Sequence, residues 1–536
     1  MFGNLPITPN FSAVNPKDIP EPTEIYLPAY QPIAIDDSVP DDSVSLLTLL
    51  EGSGRETTGL GRTSLSALGV HLTLDASIRD LLPPEASVPD FARWETYTSE
   101  QAREHDRDNE ARLRTTGPAP GCHVYLERRK ELANTNEEAF RTVRRLTPPK
   151  GKQQARLGNA YEFFRCLEHF TGFWDDTSQS PELPPSPELT ASEAVASQTS
   201  PESGSEEHPV CMRTSSGASM PAHYRQSLLN AFIKFVAYDF GCNVSVARIE
   251  PKLYVQSPPG EHHRKSQTPS NCQFVFQSPV TREAARAGIV CGPVAAVSAR
   301  ASIDFTIPNV EAAQSLDLAR EMVAALITAQ HRNREGKKEV RFGDGKWWTT
   351  KPRWGGGVGG PIGREIEKFE KSEKSEKSEK SAAITGDGDS SSAAAEQGLD
   401  GPASKKVRKN LPMYDNYRMV RPPAPTWDKK ARYEAVGKVP DAPYDDIFVF
   451  SSLFHHMSIL RVRVPTRLLE VLDGSPEPDA TKRSWGKVEA WRSPWYDFFK
   501  ADQRMAAMQT IWAVMAHQMR SNGRETGLEN YWTGNE

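Results

Sequence analysis

Three groups of residues in this chain are of types that do chemistry. Asp304 closes an apolar run, and Glu339-Val340-Arg341 follows about one helix later. Two carboxylates so placed could share a divalent cation and hydrolyse a phosphodiester, although Arg341 stands where a lysine is expected. Ser451 and Ser452 precede His455 and His456, as a hydroxyl nucleophile and its base would, with no third group in the local sequence to orient the imidazole. The third group is the stretch 337–354. It holds six basic and two acidic residues around Trp347, Trp348 and Trp354. Single-strand binders combine a basic track with aromatic stacking platforms, so the three tryptophans could stack bases while Lys346, Lys351 and Arg353 meet phosphates. The alternative is that these tryptophans close an edge of the folded core and the cations form its solvated rim.

Other chemistry is poorly supported. His262 and His263 lie in a polar loop, and His455 and His456 read as neighbours in a strand, where adjacent side chains point to opposite faces. No metal-ligand set follows from that reading, and no cofactor motif is present. The loop Arg213–Ser219 enters a helix without the Gly-Lys-Ser/Thr of a phosphate-binding loop. The six cysteines are scattered, without zinc spacing, as in a reduced intracellular protein. The N-terminus lacks the pattern of a signal peptide, and no apolar run approaches the ~18 residues that span a bilayer. A net charge of −5 excludes a global basic field, so any nucleic-acid contact must be local.

Apolar residues are 37% of the 536, and there are 42 prolines, so folded and unfolded regions should alternate. Residues 1–97 read as mostly disordered, with one patch, Leu60 to Leu82, apolar enough to dock. Residues 98–175 read as a helical block. Its last segment, Leu157 to Trp174, carries Tyr161, Phe163, Phe164, Leu167, Phe170 and Phe173 and needs a core. Residues 176–208 hold seven acids and no Lys or Arg, with Ser-Pro steps at Ser180, Ser186 and Ser200. They form a linker and candidate proline-directed phosphorylation sites.

Residues 209–360 supply the first half of an α+β domain. It has a helix after Pro221, strands near Cys272–Phe276 and Val294–Phe305, and a helix opening at Asn309. Residues 361–411 are an insertion containing four Glu-Lys-Ser repeats, which spread charge all round a helix and leave no face to pack. The cluster Lys405-Lys406-Val407-Arg408-Lys409 within it fits a nuclear-localisation pattern. Residues 412–520 supply the second half: strands Ile447–Phe450 and Met457–Val464, then a helix striped by Met505, Met508, Trp512, Met515 and Met519. Methionine stripes can serve partners, but this one reads as core. A tail, 521–536, follows. The expected fold is thus α+β, one mixed domain assembled from two sequence blocks around an insertion, with a helical N-terminal block.

The chain resembles a protein family of filamentous ascomycete fungi. The likeness is carried by Met220-Pro-Ala-His-Tyr-Arg225 leading to Phe240-Gly-Cys242, by Lys338–Arg341 with Gly345–Gly357, by Ser451–Leu460, and by Trp495-Tyr-Asp497, Gln503-Arg504 and Ala507-Met508. It covers about the ordered half of the chain. It implies a shared fold and brings no activity, cofactor or catalytic residue. The functional expectation is a non-catalytic interaction or regulatory protein inside the cell, nuclear rather than cytoplasmic, with unidentified protein partners and no membrane. The alternatives are a metal-dependent nuclease or other hydrolase, or single-stranded nucleic-acid binding through 337–354.

Overall fold

The computed structural model describes residues 19–28, 62–108, 113, 119–179, 213–245, 250–259, 265–278, 289–300, 310–335, 432–478 and 483–520. Its strands are β1 (Val70–Thr73), β2 (Cys242–Ser245), β3 (Lys252–Gln256), β4 (Lys265–Pro269), β5 (Gln273–Gln277), β6 (Ile289–Cys291), β7 (Ala295–Ala299), β8 (Arg432–Glu434), β9 (Tyr444–Leu453), β10 (His456–Pro465), β11 (Val488–Arg492) and β12 (Tyr496–Asp497). The helices are α1 (Arg62–Leu68), α2 (Ile78–Leu81), α3 (Phe91–Trp94), α4 (Ser99–Asp108), α5 (Cys122–Leu132), α6 (Asn136–Val143), α7 (Tyr161–Phe170), α8 (Ala222–Ala237), α9 (Val310–Arg332), α10 (Thr466–Leu472) and α11 (Ala501–Gln518).

Strands that are apolar at nearly every position need cover on both faces of their sheet. In β9, Ile447 and Val449 enter one core while Phe448 and Phe450 enter the other. The sheet they build runs β1-β11-β10-β9-β7-β5-β2, with β12 pairing to the start of β10. The β7–β9 and β1–β11 pairs are parallel and the others antiparallel. One face is covered by α9 with α1 and α10, through Leu65, Met322, Leu326 and Leu468. The other is covered by α7, α8 and α11, through Phe163, Phe232, Met508 and Trp512. The two sequence blocks meet inside this sheet, where β7 of the first lies beside β9 of the second. The architecture is the expected α+β domain with an N-terminal helical block, and the methionine stripe of α11 is core.

The patch Leu60 to Leu82 contributes more than a docking surface. It supplies α1, α2 and the edge strand β1, held by the Trp485 indole N–H donating to the Leu68 carbonyl at 3.0 Å. Residues 62–97 therefore belong to the fold, although 1–97 read as mostly disordered. A four-residue strand with one fully buried position carries too little alternation to be seen locally.

The helical block is fastened by arginines. Arg128 of α5 donates from Nε and Nη2, one edge of its guanidinium, to the two oxygens of Asp239 at 2.8 and 2.9 Å. Arg504 of α11 is fully buried and donates to the carbonyls of Leu132, Asn134 and Phe498 and to Asn136 Oδ1. Two of those carbonyls lie at or just past the end of α5, where a helix leaves its acceptors unsatisfied.

Two buried imidazoles set a pH dependence. Burial, helped by Arg520, pushes His517 down to about 3, and burial with Arg334 nearby pushes His331 well below the ordinary range. The unfolded chain takes up these protons near pH 6.5 and the folded chain does not. Their stability contribution is complete above that pH and falls as pH drops toward the folded values. Each should cost about 1.4 kcal/mol by pH 5.5. In urea titrations between pH 7.5 and 5.5, His517→Gln should lose less stability than the parent. Parallel pH profiles for the two proteins would contradict this assignment.

Candidate functional site

One end of the sheet gathers polar residues. The C-terminal ends of β1, β7, β9 and β11 and the N-terminal end of β10 lie there together, as their registers require. In parallel α/β sheets the carboxyl ends of strands are where ligands bind, and here the two parallel pairs, β7–β9 and β1–β11, end on this side. Two clusters occupy this end, one on each face.

On the α9 face, Glu321 is fully buried. Its carboxylate accepts from Arg492 at the end of β11 and from Ser451 at the end of β9. Arg320 reaches the Ser298 carbonyl at 2.9 Å and approaches Glu321. Asp317 faces Arg300 and Arg320 at 3.7 and 3.8 Å, and its burial raises its pKa against their pull. Ser451 is thus spent on Glu321, and the Ser452 hydroxyl has no hydrogen-bond partner among the described residues, so the Ser451/Ser452 and His455/His456 grouping does not form a nucleophile–base pair. The carboxylates and guanidinium groups here are committed to one another, as structural ion pairs are.

On the other face lies the tip of the β9–β10 hairpin. Leu453 pairs with His456, leaving Phe454 and His455 as a two-residue turn. Such turns need a positive φ, and Phe454 supplies it at 53°, an unusual value for an aromatic residue. The ring is held in place by Trp174, 5.0 Å away, and by the Arg225 guanidinium above it at 5.6 Å. Because the chain turns here, His455 and His456 do not diverge as strand neighbours would. Their rings lie 4.3 Å apart at 38°. The expectation of opposite faces fails for this reason.

The third member is Asp497, which pairs with His456 across β10 and β12. His455 Nε2 lies 3.9 Å from Asp497 Oδ1, and His456 Nε2 lies 3.8 Å from Oδ2. Neither distance is a hydrogen bond. The carboxylate instead accepts from the Thr177 hydroxyl and from the Phe499 N–H, the latter at 2.9 Å. His455 is 2% exposed and Asp497 3%, beneath Phe170, Trp174 and Phe499. Both ring nitrogens of His455 and Nδ1 of His456 have no hydrogen-bond partner among the described residues. Burial, then His456 and Lys500, push His455 well below its ordinary pKa, so it is neutral. Burial lowers His456 as well, Asp497 opposing and Lys500 adding to the shift.

Asp304, Glu339, the strip Lys346–Trp354 and the cluster Lys405–Lys409 lie outside the described residues. Asp497 and Glu321 were missed by sequence reasoning. Glu321 sits in a charged helix turn that reads as solvent-facing, and Asp497 joins the histidines only through long-range pairing.

The Glu321–Arg492 pair should behave as a buried ion pair does. Glu321→Leu strands the Arg492 charge and should cost about 3–5 kcal/mol in urea denaturation. Combining it with Arg492→Met should recover most of that loss. A double variant as unstable as the single would show that the site needs the charges themselves. No family model, curated protein or solved structure matches the chain.

Proposed function

We propose that the chain is a non-catalytic interaction or regulatory protein of the cell interior, acting in the nucleus, whose folded body displays two long polar tracts. The supporting observation is how each tract meets the domain. Residues 180–212 leave just after Gln179 and return at Arg213. At that base Arg213 bonds Asp175 at 3.0 Å, and the Thr214 and Ser215 N–H groups both donate to the Gly172 carbonyl at 3.0 Å. Residues 336–431 leave after Glu335 and return at Arg432. There the Ala435 N–H donates to Glu335 Oε1 at 3.2 Å, and β8 pairs with β6.

The described residues that flank each tract are therefore held by contacts within the body. Joining two fixed ends costs little more as the joining segment lengthens, so we expect the body to be insensitive to the length between them. The tracts carry the recognisable signals, namely Ser-Pro steps in the first and the basic cluster Lys405–Lys409 in the second. No described helix is long and apolar enough to cross a membrane.

Replacing 180–212 and 336–431 by short Gly/Ser bridges should leave the unfolding temperature within roughly 3 °C of the parent. The same variant should lose nuclear accumulation, and Lys405/Lys406/Arg408→Ala alone should reproduce that loss when imaged. Collapse of the bridged protein, or nuclear retention of the triple variant, would refute the proposal.

A further inference from the structure

We propose that His455, His456 and Asp497 form a binding site for a single divalent transition-metal ion of the zinc class. This inference stands apart from the role of the polar tracts.

The donors come first. Two imidazoles and one carboxylate are a nitrogen–oxygen set suited to zinc, unlike the all-oxygen sets of magnesium and calcium. One donor atom of each residue lies within 4.8 Å of the others. Donors around a tetrahedral zinc at the usual bond lengths sit about 3.4 Å apart. His455 Nε2 and His456 Nε2 each face their own oxygen of Asp497, at 3.9 and 3.8 Å, too long for hydrogen bonds and within half an ångström or so of that value.

The surroundings agree. A buried imidazole whose two nitrogens both lack a partner is destabilised at each unsatisfied atom, and a metal ion removes that penalty at the ligating nitrogen. Thr177 and the Phe499 N–H fix the orientation of Asp497, as groups behind a ligand commonly do. Among the described residues, Lys500 is a cation whose charge acts on both histidines. The Asp497 carboxylate offsets its repulsion of an ion. Three protein donors leave one position to a small ligand such as water.

The ion would join three segments: the β9–β10 turn, β12 and, through Thr177, the end of the helical block where residues 180–212 begin. Metal binding should therefore stabilise the body as a whole.

Untagged full-length protein, stripped with a chelator, should take up about one Co(II) per chain, with the visible absorption of a low-coordinate site. Zinc at about 100-fold over its Kd should raise the unfolding temperature by roughly 5 °C. X-ray absorption at the zinc edge should show imidazole and carboxylate donors at about 2.0–2.2 Å. His456→Ala and Asp497→Asn should weaken uptake by about 100-fold or more, and His71→Ala, at an exposed histidine, should not change it. The proposal is overturned by a parent protein without Co(II) absorption or thermal shift, by a zinc spectrum lacking imidazole, or by folded variants that keep the metal. If the variants do not fold, the zinc spectrum of the parent decides the question.

Discussion

The fold depends on one buried guanidinium. Arg332, at the end of α9, donates to the carbonyls of Pro293 and Val294, to Asp445 Oδ1 at 3.0 Å and to Gln518 Oε1 at 3.0 Å. Those partners come from the start of β7, the start of β9 and the end of α11. A single planar fork thus ties both sequence blocks at the point where the chain leaves for residues 336–431. Taking a full charge out of water is costly, and only several well-placed acceptors offset it. Asp445 shares the burden: burial raises its pKa and Arg332 pulls it back. Gly437 belongs to the same arrangement. Its φ of 81° and the closeness of the Gln518 side chain leave no room for a Cβ.

Helices and central strands were legible because their signals are local. The α11 stripe and the apolar alternation of β9 and β10 each repeat over several turns or residues, and such repetition states its own geometry. The two-block domain followed from neither block having enough strands alone. What stayed hidden was set by long-range partners. Asp497 acquires meaning only from the ladder that places it opposite His456. Glu321 looks like any helix-surface acid until β9 and β11 bring Ser451 and Arg492 beneath it. The turn at Phe454 defeated the strand reading because a phenylalanine at positive φ contradicts local preference, and the packing of Trp174 and Arg225 overrides that preference.

The two faces of the sheet end handle polarity in opposite ways. Beneath α9, carboxylate and guanidinium groups neutralise each other, giving a rigid floor. At the hairpin tip, neutral imidazoles crowd around one carboxylate under an aromatic roof. The same strands supply both, since successive residues of β9 face opposite layers. Serine at 451 serves the ion pairs, and the turn three residues on serves the histidines.

The closed bases of the two tracts bear on how this chain can vary. Joining two fixed ends costs only about 0.6 kcal/mol more in closure entropy for each doubling of the segment between them. Substitutions should be tolerated least at the two necks, where Glu335 accepts from the Ala435 N–H and Asp175 pairs with Arg213.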